Sequence, residues 1–239
     1  MSSEPPMQAV VLAGGMATRM RPHTERVPKS MLEVAGRPFI DWQLELLAGS
    51  GIRDVVLCIA HLGDAIRAHV GDGARHAVSV RYAVEEPGRL LGTAGALRAA
   101  VALLSPRFVV TYGDSYLPFD YGELLRVLDR HPDCEGVMAV YPNAGRFEPS
   151  NVATDGAWVL RYQKHPAGPG LDHIDYGATA LRREVIEALP PGAPLGLDRV
   201  QEHLAARGRL RALVVRERFF EIGSPAGWAD LDQHLRRPR

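Results

Sequence analysis

An α/β fold with a mostly parallel central sheet is the architecture this 239-residue sequence predicts, on three observations. Runs rich in Val, Ile and Ala recur along the chain, and several are continuous rather than alternating, as in strands covered on both faces. Segments with helical spacing lie between them. Strand then helix, repeated, builds right-handed βαβ units and therefore a Rossmann-like, largely parallel sheet flanked by helices.

In chain order, QAVVLA (8–13) supplies the first strand and ends in the bend Gly14–Gly15. RPFIDWQLELLAGSG (37–51) reads as a helix with Phe39, Leu44 and Leu47 on one face, stopped by Gly49 and Gly51. DVVLCIA (54–60) is a strand, LGDAIRAHVG (62–71) a helix stopped by Gly71, and VSVRYAVE (78–85) a strand. TAGALRAAVALL (93–104) reads as a helix with Thr93 as its N-cap, RFVVTYGD (107–114) as a strand and YGELLRVLDRH (121–131) as a helix. EGVMAVY (135–141) and LRALVVRE (210–217) are further strands. After about Pro142 the rhythm changes: turn residues crowd YPNAGRFEPSN (141–151), and HPAGPGLDH (165–173) reads as a loop. No composition break marks a linker. The expected organisation is a disordered tail (1–6) and one domain (7–236), with a regular, Rossmann-like first half (7–115) and a more irregular second half (116–236).

Lys plus Arg and Asp plus Glu both number 28, so no global basic field exists to collect nucleic acid or an anionic membrane. Cys58 and Cys134 lack CxxC or Cys/His spacing, which argues against a disulfide framework or zinc site and fits a reducing cytoplasm. The start, MSSEPPMQ, has no signal-peptide pattern, and no run of about 18 apolar residues is present. His23, His61, His165 and His173 show no metal spacing and are expected on the surface or in loops. No Ser/His/Asp or Cys/His arrangement points to a covalent intermediate.

The stretch from Val10 to Trp42, VVLAGGMATRMRPHTERVPKSMLEVAGRPFIDW, places a bend and several cations directly after a buried strand. The strand ends at Leu12 and Ala13, and Gly14 and Gly15, with no Cβ in the way, let the backbone turn tightly and bring its N–H groups close to a phosphate, which makes all four nucleotide-binding candidates. Arg19, Arg21 and Lys29 can converge on the same polyanion. LAGGMATRMRP followed by PKSML and GRPFIDW resembles the signature of the sugar-1-phosphate nucleotidyltransferases, or NDP-sugar pyrophosphorylases. The resemblance runs from Met7 to about Leu235, strongest before Asp114, and implies the single-domain, GT-A-like nucleotidyltransferase fold. It assigns the nucleotide phosphates to Arg19 and Lys29. Ala17 departs from the family's glycine, and alanine disfavours positive φ by about 1 kcal/mol.

Nucleotidyl transfer develops charge on phosphate oxygens that Mg²⁺ held by carboxylates can neutralise. Asp114 ends a buried strand, at the edge where open α/β sheets bind ligands. The resemblance implies that this aspartate binds Mg²⁺. It places the second metal ligand at Glu221, in FFEIGSP, where relatives carry aspartate.

EEPGRLLGTAGAL (85–97) resembles the family's base-binding loop, which maps base contacts to Glu86 and Gly92, with Thr93 beside them. A carboxylate only accepts hydrogen bonds, and guanine offers adjacent N1–H and N2–H₂ donors, which favours GTP; uridylyltransferase relatives can also carry glutamate here. RYQKHP resembles the element whose lysine reaches the sugar-linked phosphate, here Lys164, with Gln163 in place of the usual glutamate. Asn151, Asp175 and Gly177 fall where relatives hold the sugar ring. Small heptose-1-phosphate guanylyltransferases and N-acetylmuramate-1-phosphate uridylyltransferases look most similar, with the first favoured.

The expected activity is Mg²⁺-assisted, in-line transfer of a nucleotidyl group from an NTP, GTP favoured, to a sugar 1-phosphate, releasing pyrophosphate. Arg19, Lys29, Asp114 and Lys164 form the catalytic set, with no nucleic-acid or membrane partner. The alternatives are a uridylyltransferase acting on an amino-sugar or hexose 1-phosphate, a silent nucleotide-sugar-binding subunit, and cytidylyl transfer to a non-sugar phosphate. The oligomeric state is left open.

Overall fold

A computed structural model of the chain describes residues 6–15, 18–86, 88, 91–164 and 169–237. Of the expected N-terminal tail only Pro6 is described, and Ala17 and His165 lie outside the described residues.

The strands are β1 (Gln8–Leu12), β2 (Glu33–Val34), β3 (Arg37–Pro38), β4 (Asp54–Ile59), β5 (Ser79–Val84), β6 (Arg107–Tyr112) and β7 (Ser115–Tyr116). They continue with β8 (Gly136–Pro142), β9 (Val152–Thr154), β10 (Val159–Tyr162), β11 (His173–Arg182), β12 (Leu210–Val214) and β13 (Phe220–Glu221). The helices are α1 (Phe39–Gly49), α2 (Gly63–Val70), α3 (Gly92–Ala99), α4 (Tyr121–Arg130), α5 (Arg183–Glu187), α6 (Leu197–Ala206) and α7 (Pro225–Leu235).

Nine strands form the central sheet. Its first half is parallel, in the order β6-β1-β4-β5, with Val10 opposite both Val56 and Val110. The second half attaches through β11, which runs antiparallel to β6 on one side and to β8 on the other, while β12 pairs parallel with β8. The polar and glycine-containing sequence HIDYGATALR hides this ten-residue strand. A register shift between Asp175 and Thr179 accommodates Gly177, whose φ is 97°.

The continuous apolar runs have a direct structural cause. Val11, Val55, Leu57 and Val109 pack against Ile40, Leu44, Ile66 and Leu124 on one face. Val10, Val56 and Val110 pack with Leu97, Val200 and Leu204 on the other. Burying each such side chain stabilises the fold by about 1.5–3 kcal/mol, so successive residues of β1 and β4 are held from opposite sides. A smaller cluster joins Phe39, Val34, Tyr116, Phe220, Ile222 and Leu231, docking α7 beside the β7/β13 ribbon. Phe39 therefore packs apart from Leu44 and Leu47.

Three local expectations are corrected. The helix expected over 93–104 ends at Ala99, followed by a 3₁₀ turn at Val101–Leu103. Its N-cap is Leu91, not Thr93, because Gly92 already occupies the first helical position. His173, expected in a loop, sits in β11 with its ring hydrogen-bonded to Asp172. His23 and His61 are exposed.

Candidate nucleotide-binding site

The parallel strands β1, β4 and β6 all point their carboxyl ends at one place. Ala13 N–H donates to Cys58 O and Gly113 N–H to Leu12 O, both at 2.9 Å, extending the sheet pairing into the loops. A Cβ on Gly113 would lie 2.9 Å from that of Ala13, and one on Gly14 would lie 3.1 Å from that of Ala60. Glycine at these positions lets the strand ends close tightly around a cavity of about 280 Å³.

Leu12, Ala13, Gly14, Gly15, Lys29, Gly92, Thr93 and Asp114 all line that cavity. Asp114 accepts a 2.8 Å hydrogen bond from Lys29 Nζ, and both side chains retain some exposure. Lys29 stands in a single 3₁₀ turn (Lys29–Met31) entered from extended Pro28. The opening bend, a lysine and a strand-end carboxylate thus share one space.

Other expected residues are not among those lining the cavity. Arg19, in the 3₁₀ turn Thr18–Met20, is exposed, and its guanidinium lies 3.4 Å from where a Cβ on Gly223 would stand. Glu221 is one residue from Ile222, whose N–H donates to Asp114 O at 2.9 Å. Its carboxylate accepts from Gly223 N–H and from Ser224 Oγ, at the N-terminus of α7. Glu86 is exposed and does not line the cavity.

The remaining group lies at the second half of the sheet. Gln163 and Lys164 line a neighbouring groove with Tyr162 and Asp198. Gln163 Oε1 is buried without a hydrogen-bond partner among the described residues. Asn151 Oδ1 accepts from Asp175 N–H at 2.8 Å, and Asp175 Oδ1 accepts from Gly177 N–H at 3.0 Å. Part of Asp175 stays exposed, yet its carboxyl is densely surrounded by protein, and burial pushes its pKa up to about 6 against the pull of Gly177 N–H and the Tyr162 hydroxyl.

Several lining residues escape the sequence reading. Glu85, not Glu86, faces the cavity; burial raises its pKa, offset in part by the N–H of Leu91. Cys58 also lines it, its thiol pushed up to about 12 by burial and then by Glu85. Ser30 lines it with its hydroxyl buried and without a hydrogen-bond partner among the described residues. Tyr112 does so too, raised by burial and then by Asp175, Asp198 and Asp114. Tyr112 directly precedes Gly113–Asp114, so the strand-end logic that finds Asp114 could have found it. Asp198 has no local signal beyond its place in the first turn of a helix.

Comparison with known proteins places the chain in a class. The model of a family described as nucleotidyl transferase matches residues 8–147, and the chain belongs to that family. It is 37% identical over 128 residues to the N-acetylmuramate alpha-1-phosphate uridylyltransferase of Neisseria meningitidis serogroup B, covering 53% of this chain and 55% of the relative. It is 28% identical over 236 residues to the glucose-1-phosphate thymidylyltransferase of Streptomyces antibioticus, covering 95% of this chain and 65% of the relative. The chain thus spans between half and two thirds of the length of these curated relatives. The crystal structure of HddC from Yersinia pseudotuberculosis complexed with GMP-PN shares the fold: TM-score 0.77, 23% identity, 96% of this chain and 100% of that one. No helix among the described residues is long and apolar enough to cross a membrane.

Proposed function

We propose that this chain transfers a nucleotidyl group from an NTP to a sugar 1-phosphate, giving an NDP-sugar and pyrophosphate. The observation behind this reading is the convergence of the Gly14–Gly15 bend, Lys29 and Asp114 on one cavity at the carboxyl edge of the sheet. The glycine bend offers backbone N–H groups to phosphate, and Lys29 offers a mobile cation.

An oxygen of the acceptor phosphate attacks the α-phosphorus, the α–β bridging P–O bond breaks, and pyrophosphate departs with the electron pair. A phosphate monoester is already nucleophilic near neutral pH, so no general base is needed. Alignment and charge neutralisation then supply the rate. Lys29 serves the α/β-phosphates, Arg19 the leaving pyrophosphate and Lys164 the incoming phosphate.

Asp114 and Glu221 present hard carboxylate oxygens on neighbouring strand ends, a donor set that suits Mg²⁺. Bound there, the ion would neutralise phosphate charge. Glu221 already accepts two hydrogen bonds, yet each carboxylate oxygen keeps lone pairs. Lys29 would exchange its contact with Asp114 for the nucleotide.

GTP and a heptose 1-phosphate are the favoured pair. The buried-side carboxylate Glu85, with Glu86 beside it, provides acceptors for the adjacent donors of guanine, and the structural neighbour HddC is complexed with GMP-PN. A second reading, UTP with an amino-sugar or hexose 1-phosphate, is favoured by the 37% identity to an N-acetylmuramate alpha-1-phosphate uridylyltransferase. The division into a nucleotide-binding half (7–115) and a sugar-phosphate half (116–236) belongs to this proposal. So does a cytoplasmic setting, which the two free cysteines fit.

The test is Mg²⁺-dependent pyrophosphate release by purified protein, with each NTP against a panel of sugar 1-phosphates including heptose, N-acetylmuramate and hexose forms. Release with GTP and a heptose 1-phosphate supports the favoured pair, and release with UTP supports the second reading. Silence across the panel, together with nucleotide-dependent thermal stabilisation, would leave a binding subunit instead.

A further inference from the structure

We propose that Asp198 is a positioning residue that holds Lys164 over the acceptor phosphate and ties its placement to the nucleotide-binding loop. This rests on the reading above, in which Lys164 meets the incoming phosphate.

Lysine is a point charge on a flexible four-carbon stem, and a role in aligning phosphate requires that stem to be restrained. Lys164 is 55% exposed, and its only recorded ionic partner among the described residues is Asp198, with Nζ 3.4 Å from Oδ1. An ion pair this exposed adds little stability, so its value lies in where it leaves the ammonium.

Asp198 is well suited to act as the anchor. Its side chain is only 14% exposed, and it stands in the first turn of α6. Its carboxylate curls back over Gly196, so that a Cβ at 196 would fall 2.0 Å from Oδ1. Arg199 approaches its other oxygen no closer than 4.0 Å, leaving Oδ1 to Lys164.

The segment leading into Asp198 is stitched to the start of α3, beside the nucleotide cavity. Leu195 N–H donates to Leu91 O at 2.8 Å, and Ala94 N–H donates to Leu195 O at 2.9 Å. Leu197 N–H then donates to Thr93 Oγ1 at 2.7 Å. Thr93 thereby caps α6, not its own helix, and satisfies an otherwise orphan donor of that terminus. These hydrogen bonds tie the loop expected to hold the base to the first residue of α6, one position before the aspartate that holds Lys164.

The test is a double-mutant cycle on steady-state kinetics, using whichever NTP and sugar 1-phosphate the wild-type protein turns over. Asp198→Asn should raise KM for the sugar 1-phosphate about tenfold while KM for the NTP stays within about twofold, and Asp198→Glu should recover most of the loss. In a Lys164→Met background, Asp198→Asn should change acceptor KM by less than about twofold, because the partner it positions is gone. Equal effects in both backgrounds, an unchanged acceptor KM, or an equal rise in KM for the NTP would overturn the proposal. If Asp198→Asn does not fold, Asp198→Ser serves the same cycle. A wild-type protein that turns over no pair defeats the underlying reading itself, a result distinct from an active enzyme with an additive cycle.

Discussion

The ammonium of Lys29 and the carboxylate of Asp114, 85 residues apart in the chain, meet at 2.8 Å at the carboxyl edge of the sheet. One is delivered by the turn after Pro28 and the other by the end of β6, and neither segment specifies the other locally. The pair keeps a half-buried carboxylate neutralised where the proposed reaction needs both groups for phosphate and metal. On that mechanism Asp114→Asn should lower turnover at least ~100-fold. The pair is partly exposed, so its loss should cost only about 1 kcal/mol, or a Tm decrease of roughly 2–4 °C. Pyrophosphate release and a thermal melt check both; near-normal turnover by the variant sinks the metal assignment.

Gly92 has a φ of 70°, and a Cβ there would stand 2.7 Å from Leu195 O. Backbone strain and overlap with a carbonyl act together, so Gly92→Ala should cost roughly 2–3 kcal/mol and lower Tm by about 4–10 °C. Because Leu195 also receives Ala94 N–H, the same variant should weaken nucleotide binding. A melt with and without NTP measures both effects, and an unshifted Tm would show that the loop simply moves aside.

Glu85 lines the cavity whereas Glu86 is exposed outside it. Glu85→Gln replaces an acceptor-only group by one that also donates, and should shift the ratio of kcat/KM between GTP and UTP by about tenfold or more. Glu86→Gln should shift it by less than about threefold. A reversed ranking would return base reading to Glu86.

Asp175 makes a pH prediction. Its folded-state pKa of about 6 lies above the ordinary 3.8, so the folded protein retains a proton that the unfolded chain releases between these values. Stability should therefore fall as pH rises from about 4 to about 6, by roughly 3 kcal/mol at most, and then level off. Asp175→Asn keeps an acceptor for Gly177 N–H but cannot titrate. Its Tm relative to wild type should be higher at pH 7.5 than at pH 4, and a constant difference across that range would refute the burial argument.

The strands β1, β4, β5 and β6 were legible because each carries a local signal, an apolar run that cannot be left in water, whereas the two-residue strands β2 and β3 carry none, and Arg37–Pro38 read as the start of α1. The Gly14–Gly15 bend and Asp114 were legible for a similar reason, since each sits at the end of such a run. The strand β11 was not, because Asp175 and Gly177 interrupt its apolar pattern and its burial comes from neighbours β6 and β8. The choice between Glu85 and Glu86 depends on which successive side chain faces inward as β5 ends, a distinction without a composition signature.

By itself, then, the amino-acid sequence determined the alternating strands and helices of the first half, the phosphate-suited bend and the residue types available for anion and metal chemistry. These follow from short-range sterics and from the hydrophobicity of contiguous residues. Only the tertiary structure decided that Lys29 lies on Asp114, that Thr93 caps α6, and that Asp198 reaches Lys164. Those pairings join segments distant in the chain, and their geometry is set by how the sheet and helices pack across the whole molecule.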